Sequence, residues 1–199
     1  MKRDTAELSS LVGSRICHDL ISPLGAIGNG VELLNMNGQM MGPEMALISE
    51  SVENAKARIR FFRIAFGVAS TQQMVGRAEI LSILNDMTRG SRTQIDWHPG
   101  EDLPRAQIKL AFLLLQCFES SMPFGGTLTV THEADQWHML GVADKLRVDP
   151  AAWAMAVSPG SPEEITPALI HFALVPEVAG AQGRRVVSDL SEDRISVRF

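Results

Sequence analysis

A histidine and a proline stand five residues apart in a segment that otherwise has the apolar spacing of a helix. The segment, residues 17–25, reads CHDLISPLG and contains His18 and Pro23. A neutral imidazole is a nucleophile near pH 7, because its unperturbed pKa is about 6.5. Proline inside a helix removes one hydrogen bond and crowds the preceding turn. The segment is therefore either a loop or a helix that is kinked beside a reactive histidine.

The apolar positions around His18 favour the helix. At about 100° per residue, six apolar side chains fall within an arc of about 80°. These are Ile16, Leu20, Leu24, Ile27, Val31 and Leu34. His18 lies nearly opposite the centre of that arc, and its face also carries Ser22, Gly25 and Asn29. We predict an outward-facing imidazole with small neighbours; the alternative is a histidine that is merely solvated.

A second helix is predicted after the loop at residues 35–43, with Pro43 at its start and its end near Phe66. Spacings of four and three give it one apolar seam, which comprises Ile48, Val52, Ala55, Ile59, Phe62 and Phe66. Two long helices joined by a short loop form a hairpin. Pairing with a second copy into a four-helix bundle would cover both apolar stripes, so we expect a homodimer. The alternative is packing against the rest of the chain.

The charge of the chain limits the classes of partner. A net charge of −5 and a pI near 5.5 argue against nucleic-acid binding, since contacts to phosphates need a basic face. Three basic residues of the second helix, Lys56, Arg60 and Arg63, lie away from the seam. They form either a solvated face or a surface for acidic partners.

Size and cysteine content indicate one or two domains in a reducing compartment. The chain has 199 residues, of which 45% are hydrophobic. Cys17 and Cys117 do not make a disulfide framework, and no secretory leader pattern opens the sequence, so we expect a cytoplasmic protein. The apolar run at residues 110–118 is far shorter than the roughly 20 residues of a membrane-spanning helix, so no membrane association is expected.

The sequence pattern changes after residues 67–73, which predicts two domains, at residues 1–70 and 74–199. The second domain is predicted to contain helices at residues 79–89, 106–120 and 167–182, the last disturbed by Pro176. Its predicted strands are a hairpin at 127–133 and 137–143 and single strands at 93–98, 184–190 and 194–199. The expected fold class is α+β, with a helical hairpin followed by a sandwich of helices on a largely antiparallel sheet.

The string HDLISPL, residues 18–24, resembles the phospho-acceptor H-box of two-component histidine kinases. The longer stretch SRICHDLISPLGAIGNGVELL, residues 14–34, is similar to the ChpT-type histidine phosphotransferases of alphaproteobacteria. The resemblance implies that His18 accepts a phosphoryl group and that Pro23 kinks the helix. It assigns Asp19 to orienting or polarising the ring, the alternative being a plain surface charge. Partner-facing positions on this interpretation are Arg15, Ser22, Gly25 and Asn29.

The second domain resembles the Bergerat-like ATP-binding domain of histidine kinases in a degenerate form. The stretches GGTLTV, residues 125–130, and GAQGRRVVSDL, residues 180–190, carry that resemblance. No asparagine occurs at residues 103–131, where the family holds magnesium and triphosphate. Asp144 stands at the adenine-reading position, but the glycines that should follow it are missing. We therefore expect no ATP binding, no other cofactor and no metal on this chain.

The resemblance also implies the partners. A receiver domain of a CckA-like hybrid sensor kinase would donate the phosphoryl group, and CtrA-like and CpdR-like response regulators would receive it. The receiver brings its own Mg²⁺ and lysine, so the histidine protein needs few catalytic groups of its own. The alternatives are a non-catalytic dimeric adaptor that binds response regulators, and a fragment of an ATP-dependent kinase.

Overall fold

The computed structural model describes residues 13, 17, 20–21, 24–34, 42–70, 72–158 and 165–199. It contains two compact units. The first comprises Met1–Val68 with Ser82–Arg89, and the second comprises Ala69–Leu81 with Gly90–Phe199. The domain limits that the sequence suggested, residues 1–70 and 74–199, stay a prediction.

Two helices make up most of the described part of the first unit. Helix α1 covers residues 24–34, and residues 13, 17, 20 and 21 are helical as well. Helix α2 is Pro43–Ala65 and begins after Gly42, with a proline in the first turn, where its missing N–H removes no hydrogen bond. It ends at Phe66, whose N–H donates to the Phe62 carbonyl at 2.8 Å. Most of the predicted loop at residues 35–43 lies outside the described residues.

Helix α2 is buried on more than its predicted seam. Val52 and Ile59 of the seam are buried, but Ile48 is 46% exposed. Five further side chains outside the seam are buried, namely Met45, Ala57, Phe61, Ile64 and Ala65. Arg60 of α2 also pairs with Asp86 of the same unit. The single-seam interpretation is therefore incomplete, because α2 has a second packed face.

Helix α1 and the helical residues before it carry a row of exposed apolar side chains. Leu20 is 45%, Ile27 51% and Leu34 38% exposed, at intervals of seven residues. Leu24 and Val31, which share the predicted stripe, are half-buried. Ile16, the first member of that stripe, lies outside the described residues. The exposed members of the row face solvent in a single copy of the chain.

The second unit contains the sheet and most of the remaining helices. Helix α3, Arg77–Thr88, contributes to both units. The other helices are α4 (Arg105–Ser121), α5 (Pro150–Val157) and α6 (Ile170–Gly180), with a 3-10 turn at Pro167–Leu169. The strands are β1 (Met74–Val75), β2 (Thr93–Trp97), β3 (Leu103–Pro104), β4 (Gly126–Glu133), β5 (Gln136–Val142), β6 (Val187–Leu190) and β7 (Arg194–Arg198).

Five strands form one sheet in the order β2-β4-β5-β7-β6, and β1 pairs with β3 separately. Strands β2 and β4 are parallel, whereas every other neighbouring pair in the sheet is antiparallel. Side chains alternate along β5, where Trp137 and Met139 are buried and His138 is exposed. One face of the sheet is therefore packed and the other is polar, as is usual for antiparallel sheets. The α+β class and the largely antiparallel sheet are confirmed.

The helices of the second unit cover the packed face of the sheet. Alanine at Gly141 of β5 would place its Cβ 2.6 Å from a ring carbon of Phe118, so α4 crosses the sheet closely there. Helices α4, α5 and α6 also pack on one another. Trp153 of α5 is buried among the rings of Phe118 and Phe172, and its indole N–H donates to Ser121 Oγ at 3.0 Å. This aromatic cluster anchors the helical layer.

A pair of glycines starts strand β4. Gly125 has φ +94° and Gly126 has φ +148°, backbone angles that residues other than glycine rarely adopt. The Gly126 N–H donates to the Arg92 carbonyl at 3.1 Å, just before β2. The tight turn therefore sets the register between β2 and β4, in which Thr93 pairs with Gly126.

Most elements of the second unit follow the sequence prediction, but α5 was missed. The helix prediction at residues 167–182 is met by the 3-10 turn and α6, and Pro176 lies inside α6 without ending it. Asp149 caps the N-terminus of helix α5, and its carboxylate accepts from the N–H groups of Ala151 and Ala152 at 3.0 and 3.2 Å. Within the described ranges, no helix combines the length and the apolar character that crossing a membrane requires.

Candidate functional site

Only some of the predicted site residues are among those that the structure describes. Arg15, His18, Asp19, Ser22 and Pro23 lie outside the described residues, so their predicted roles stay predictions.

Gly25 and Asn29, the other partner-facing positions, both lie in α1. Gly25 is half-buried, and a Cβ added there would meet no atom within 4 Å. Asn29 is exposed. At these two positions the helix surface is open, and their contact with a partner stays a prediction.

Residues on either side of His18 in the sequence differ in burial. Cys17 is 6% exposed, whereas Leu20 and Ile21 are 45% and 41% exposed. Burial raises the pKa of the Cys17 thiol, against the opposing effect of the nearby Arg63 charge. Cys17 is therefore a neutral packing residue at pH 7 rather than a thiolate nucleophile.

A cavity of about 470 Å³ lies between α1 and α2, within the first unit. Its α1 side is formed by Ile21, Leu24 and Gly25, three to seven residues after His18 in the sequence. Its α2 side includes the three basic residues that the sequence singled out, Lys56, Arg60 and Arg63. We call this space the α1–α2 cavity. The cavity therefore lies between residues that follow His18 in the sequence and a row of three cations on α2.

Acidic side chains partly neutralise that row. Lys56 Nζ lies 2.8 Å from Glu53 Oε1. Arg60 pairs with Asp86, and its Nη1 donates to Ser82 Oγ at 3.2 Å. Arg89 Nη2 reaches the other oxygen of Asp86 at 2.9 Å. Arg60 is thus an anchored cation, which neither sequence interpretation of the basic residues had foreseen.

Lys56 lies close to α1 as well. A Cβ at Gly28 would lie 3.0 Å from Lys56 Cε, so the absence of a side chain at this position lets the lysine cross the helix backbone. The Lys56 side chain is 31% exposed, which keeps its ammonium group in reach of solvent. A cation is therefore held against α1.

The second unit contains a histidine that the sequence analysis did not single out for a role. His171 is 7% exposed, and its Nε2 lies 3.0 Å from Ser120 Oγ. Burial lowers the pKa of His171, while the charge of Glu119 acts in the opposite direction. Because His171 is buried and its pKa is lowered, it is a packed, neutral histidine at pH 7.

The lowered pKa of His171 predicts that stability falls on mild acidification. Below the unfolded-state pKa of about 6.5, the unfolded chain binds a proton that the folded chain does not. This contribution to stability is therefore complete above about pH 6.5 and is lost as pH falls toward the folded pKa. Urea unfolding between pH 7.5 and 5 should show this loss, at no more than about 1.4 kcal/mol per pH unit. His171→Gln should flatten this slope, whereas His98→Gln, at an exposed position, should not.

Comparisons with known proteins agree with this architecture. The family described as "Histidine phosphotransferase C-terminal domain" matches residues 77–194. The protein phosphotransferase ChpT of Brucella abortus (strain 2308) is 35% identical over 163 residues, covering 79% of this chain and 78% of that protein. A solved 1.7 Å structure of a bacterial phosphotransferase superposes with a TM-score of 0.72 at 29% identity. That superposition covers 100% of this chain and 98% of the other.

The similarity is not confined to the second unit. Residues 77–199 make up less than two thirds of the chain, whereas the Brucella protein aligns with 79% of it. The alignment therefore extends into α2 of the first unit. The chain belongs to the ChpT-type histidine phosphotransferases and functions in phosphotransfer within a phosphorelay.

Proposed function

We propose that His18 carries the phosphoryl group between aspartates of receiver domains. The observation that carries this proposal is the superposition with a bacterial phosphotransferase that covers 100% of this chain at 29% identity, and hence the residues of the H-box-like string HDLISPL that begins at His18. A ring nitrogen of neutral His18 attacks the phosphorus of an aspartyl phosphate. A P–N bond forms as the P–O bond breaks, and the aspartate leaves as a carboxylate. The proton on the other ring nitrogen stays there or passes to solvent.

The α1–α2 cavity supports this proposal through its charge. Phosphoryl transfer passes through a loose transition state with charge spread over the phosphoryl oxygens, so positioning and nearby cations supply most of the catalysis. Lys56, Arg60 and Arg63 provide those cations on this chain. The receiver supplies Mg²⁺ and its own lysine. An acidic, phosphorylated receiver therefore meets a complementary surface.

The remaining predicted site residues have positioning roles in this proposal. Asp19 orients or polarises the His18 ring, and Pro23 kinks the helix beside it. Arg15, Ser22, Gly25 and Asn29 face the receiver, and the open surface observed at Gly25 and Asn29 is compatible with that.

Transfer without ATP is part of the same proposal. Residues 103–131 contain no asparagine, and Asp144 is exposed with no glycine in the residues that directly follow it. Cys117 is fully buried, and its burial raises the pKa of the thiol well above the ordinary value, so it offers no metal ligand. A cytoplasmic site of action is proposed from the two cysteines, which are both free. The proposed partners are CckA-like, CtrA-like and CpdR-like proteins.

We further propose a homodimer through the hairpin of α1 and α2. Its support is the exposed apolar row of Leu20, Ile27 and Leu34. Such a row is stable in water when a second copy covers it.

Charges in that row should separate the two copies. Leu20→Glu combined with Ile27→Glu should raise the dissociation constant of the dimer at least about 100-fold, because carboxylates would be buried unpaired. Sedimentation equilibrium measures this change. Leu33→Glu is the matched control, since Leu33 is 60% exposed on another side of α1. An unchanged dimer in the double variant, or equal dissociation in the control, would contradict the proposed interface.

The transfer itself is tested with a receiver domain that carries a radiolabelled aspartyl phosphate. Label should move to this protein within minutes and should be stable in alkali and labile in acid, as a phosphoramidate is. Incubation with labelled Mg-ATP alone should give no label. Binding of the receiver without transfer would indicate an adaptor instead, and labelling from ATP would indicate a kinase.

A further inference from the structure

A cavity of about 480 Å³ lies at one end of the sheet in the second unit. The turn between β4 and β5, the end of α6 and the adjacent ends of β6 and β7 surround it. Three of its lining residues are arginines, Arg184, Arg185 and Arg198, and one is an acid, Asp135. The local excess of positive charge contrasts with the net charge of −5 of the whole chain. Neither the phosphotransfer proposal nor the family match accounts for this basic cavity.

Arg184 is held in a fixed orientation. Its Nη1 donates to the Asp135 carbonyl oxygen at 2.8 Å, and its Nη2 pairs with the Asp135 carboxylate. The Arg184 side chain is only 12% exposed. Asp135 has φ +63° in the tight turn between β4 and β5, so the turn backbone places both acceptors. The Arg184 guanidinium therefore has a fixed position in the cavity wall without a ligand.

Arg185 and Arg198 supply the charge that is not neutralised. Both are exposed, and among the residues that the structure describes neither forms an ion pair. Arg198 is fixed along the backbone by β7, where it pairs with His138 on one side and Val187 on the other. Two guanidinium groups thus stand beside the anchored one.

The rest of the wall is rigid. Phe199 stacks on Trp137 with ring centroids 5.5 Å apart and an interplanar angle of 5°. The Gln182 amide is fixed because its Nε2 donates to the carbonyls of Ala106 and Val178 at 2.9 and 3.0 Å. Gln182 Oε1 is buried and accepts no hydrogen bond from the described residues, and its burial keeps it out of reach of a ligand in the cavity.

We propose that this basic cavity binds a small molecule that carries a phosphate group. Guanidinium groups match the oxygens of a phosphate in a bidentate manner, and several of them around one concave site favour a compact dianion. The volume falls in the range of small-molecule pockets, whereas an acidic protein surface would need a broader and flatter face.

Titration calorimetry of the full chain with inorganic phosphate and with glycerol phosphate at pH 8 tests this site. Both should bind saturably at one site per chain, with dissociation constants of roughly 1 mM or below. Sodium chloride at matched ionic strength should produce no saturable signal. Absence of saturation with either phosphate, or saturation only with an acidic peptide, would overturn the proposal.

Four single-residue changes locate the site. Arg185→Gln and Arg198→Gln should each weaken phosphate binding at least about tenfold. Arg194→Gln is the matched control, because Arg194 is exposed on the same strand β7 but does not line the cavity. Asp135→Asn should strengthen binding about threefold, since it removes the negative charge of the Asp135 side chain while asparagine tolerates positive φ. Equal weakening in the control, or no change in both Arg185 and Arg198 variants, would contradict a site at this cavity.

Discussion

Replacing His18 with alanine is expected to abolish transfer from a phosphorylated receiver, with a fall in labelling rate of at least about 1,000-fold. The reason is chemical, since the acceptor nitrogen is removed and the P–N bond has no second partner in the site. The measurement is the initial rate at which label moves from the receiver, at fixed concentrations of both proteins. Receiver binding should be nearly unchanged, because the surrounding α1 and α2 surface remains.

Two other histidines provide the controls for that experiment. His98 and His138 are both exposed in the second unit, so their alanine variants remove an accessible imidazole without touching α1. Both variants should be labelled at the wild-type rate. Transfer to the His18→Ala protein at the wild-type rate would contradict the assignment of His18, and loss of labelling in either control would point to a second acceptor.

Replacing Gly125 with alanine is expected to lower the free energy of unfolding of the second unit by about 3 kcal/mol or more. The added Cβ would lie 2.5 Å from Arg92 Cβ and 2.7 Å from the Arg92 carbonyl carbon, which is backbone and cannot move aside cheaply. The φ of +94° is a further cost for any residue with a side chain. Because this turn aligns β2 with β4, relief of the clash would disturb the ladder itself. Urea unfolding followed by tryptophan fluorescence reports the change.

Gly180→Ala is the matched substitution for that measurement. Gly180 ends α6, and a Cβ there would meet no atom within 4 Å. The free energy of unfolding of the Gly180→Ala variant should lie within about 0.5 kcal/mol of the wild-type value, or slightly above it. Similar stability of the Gly125 and Gly180 variants would mean that the turn before β4 tolerates a side chain after all.

Local sequence patterns predicted the sheet better than the short helices. The stretches TLTVTHE and WHMLGVA alternate in polarity, and they form the β4–β5 hairpin with its packed face on one side. Helix α5 escaped prediction because PAAWAMAV is apolar on every side and therefore has no helical period. Its one local signal was Asp149 before Pro150, a common start of a helix.

The charged contacts of both cavities depend on pairs that are remote in the sequence. Arg60 meets Asp86 across 26 residues, and Arg184 meets Asp135 across 49. No spacing rule links such positions, because the fold alone brings them together. The stretch GRR at residues 183–185 carries a family resemblance, and the basic charge of its two arginines was the available signal for the second cavity. Sequence patterns therefore located candidate groups, while their partners required the structure.

The burial of both native thiols makes this chain convenient for spectroscopy. Cys17 and Cys117 are 6% and 0% exposed, and burial raises the pKa of each thiol, so both react slowly with maleimides at neutral pH. A cysteine introduced at exposed Asn29 would carry a fluorophore or spin label selectively. Distances between such labels would report on the proposed association of two copies while the native cysteines stay in place.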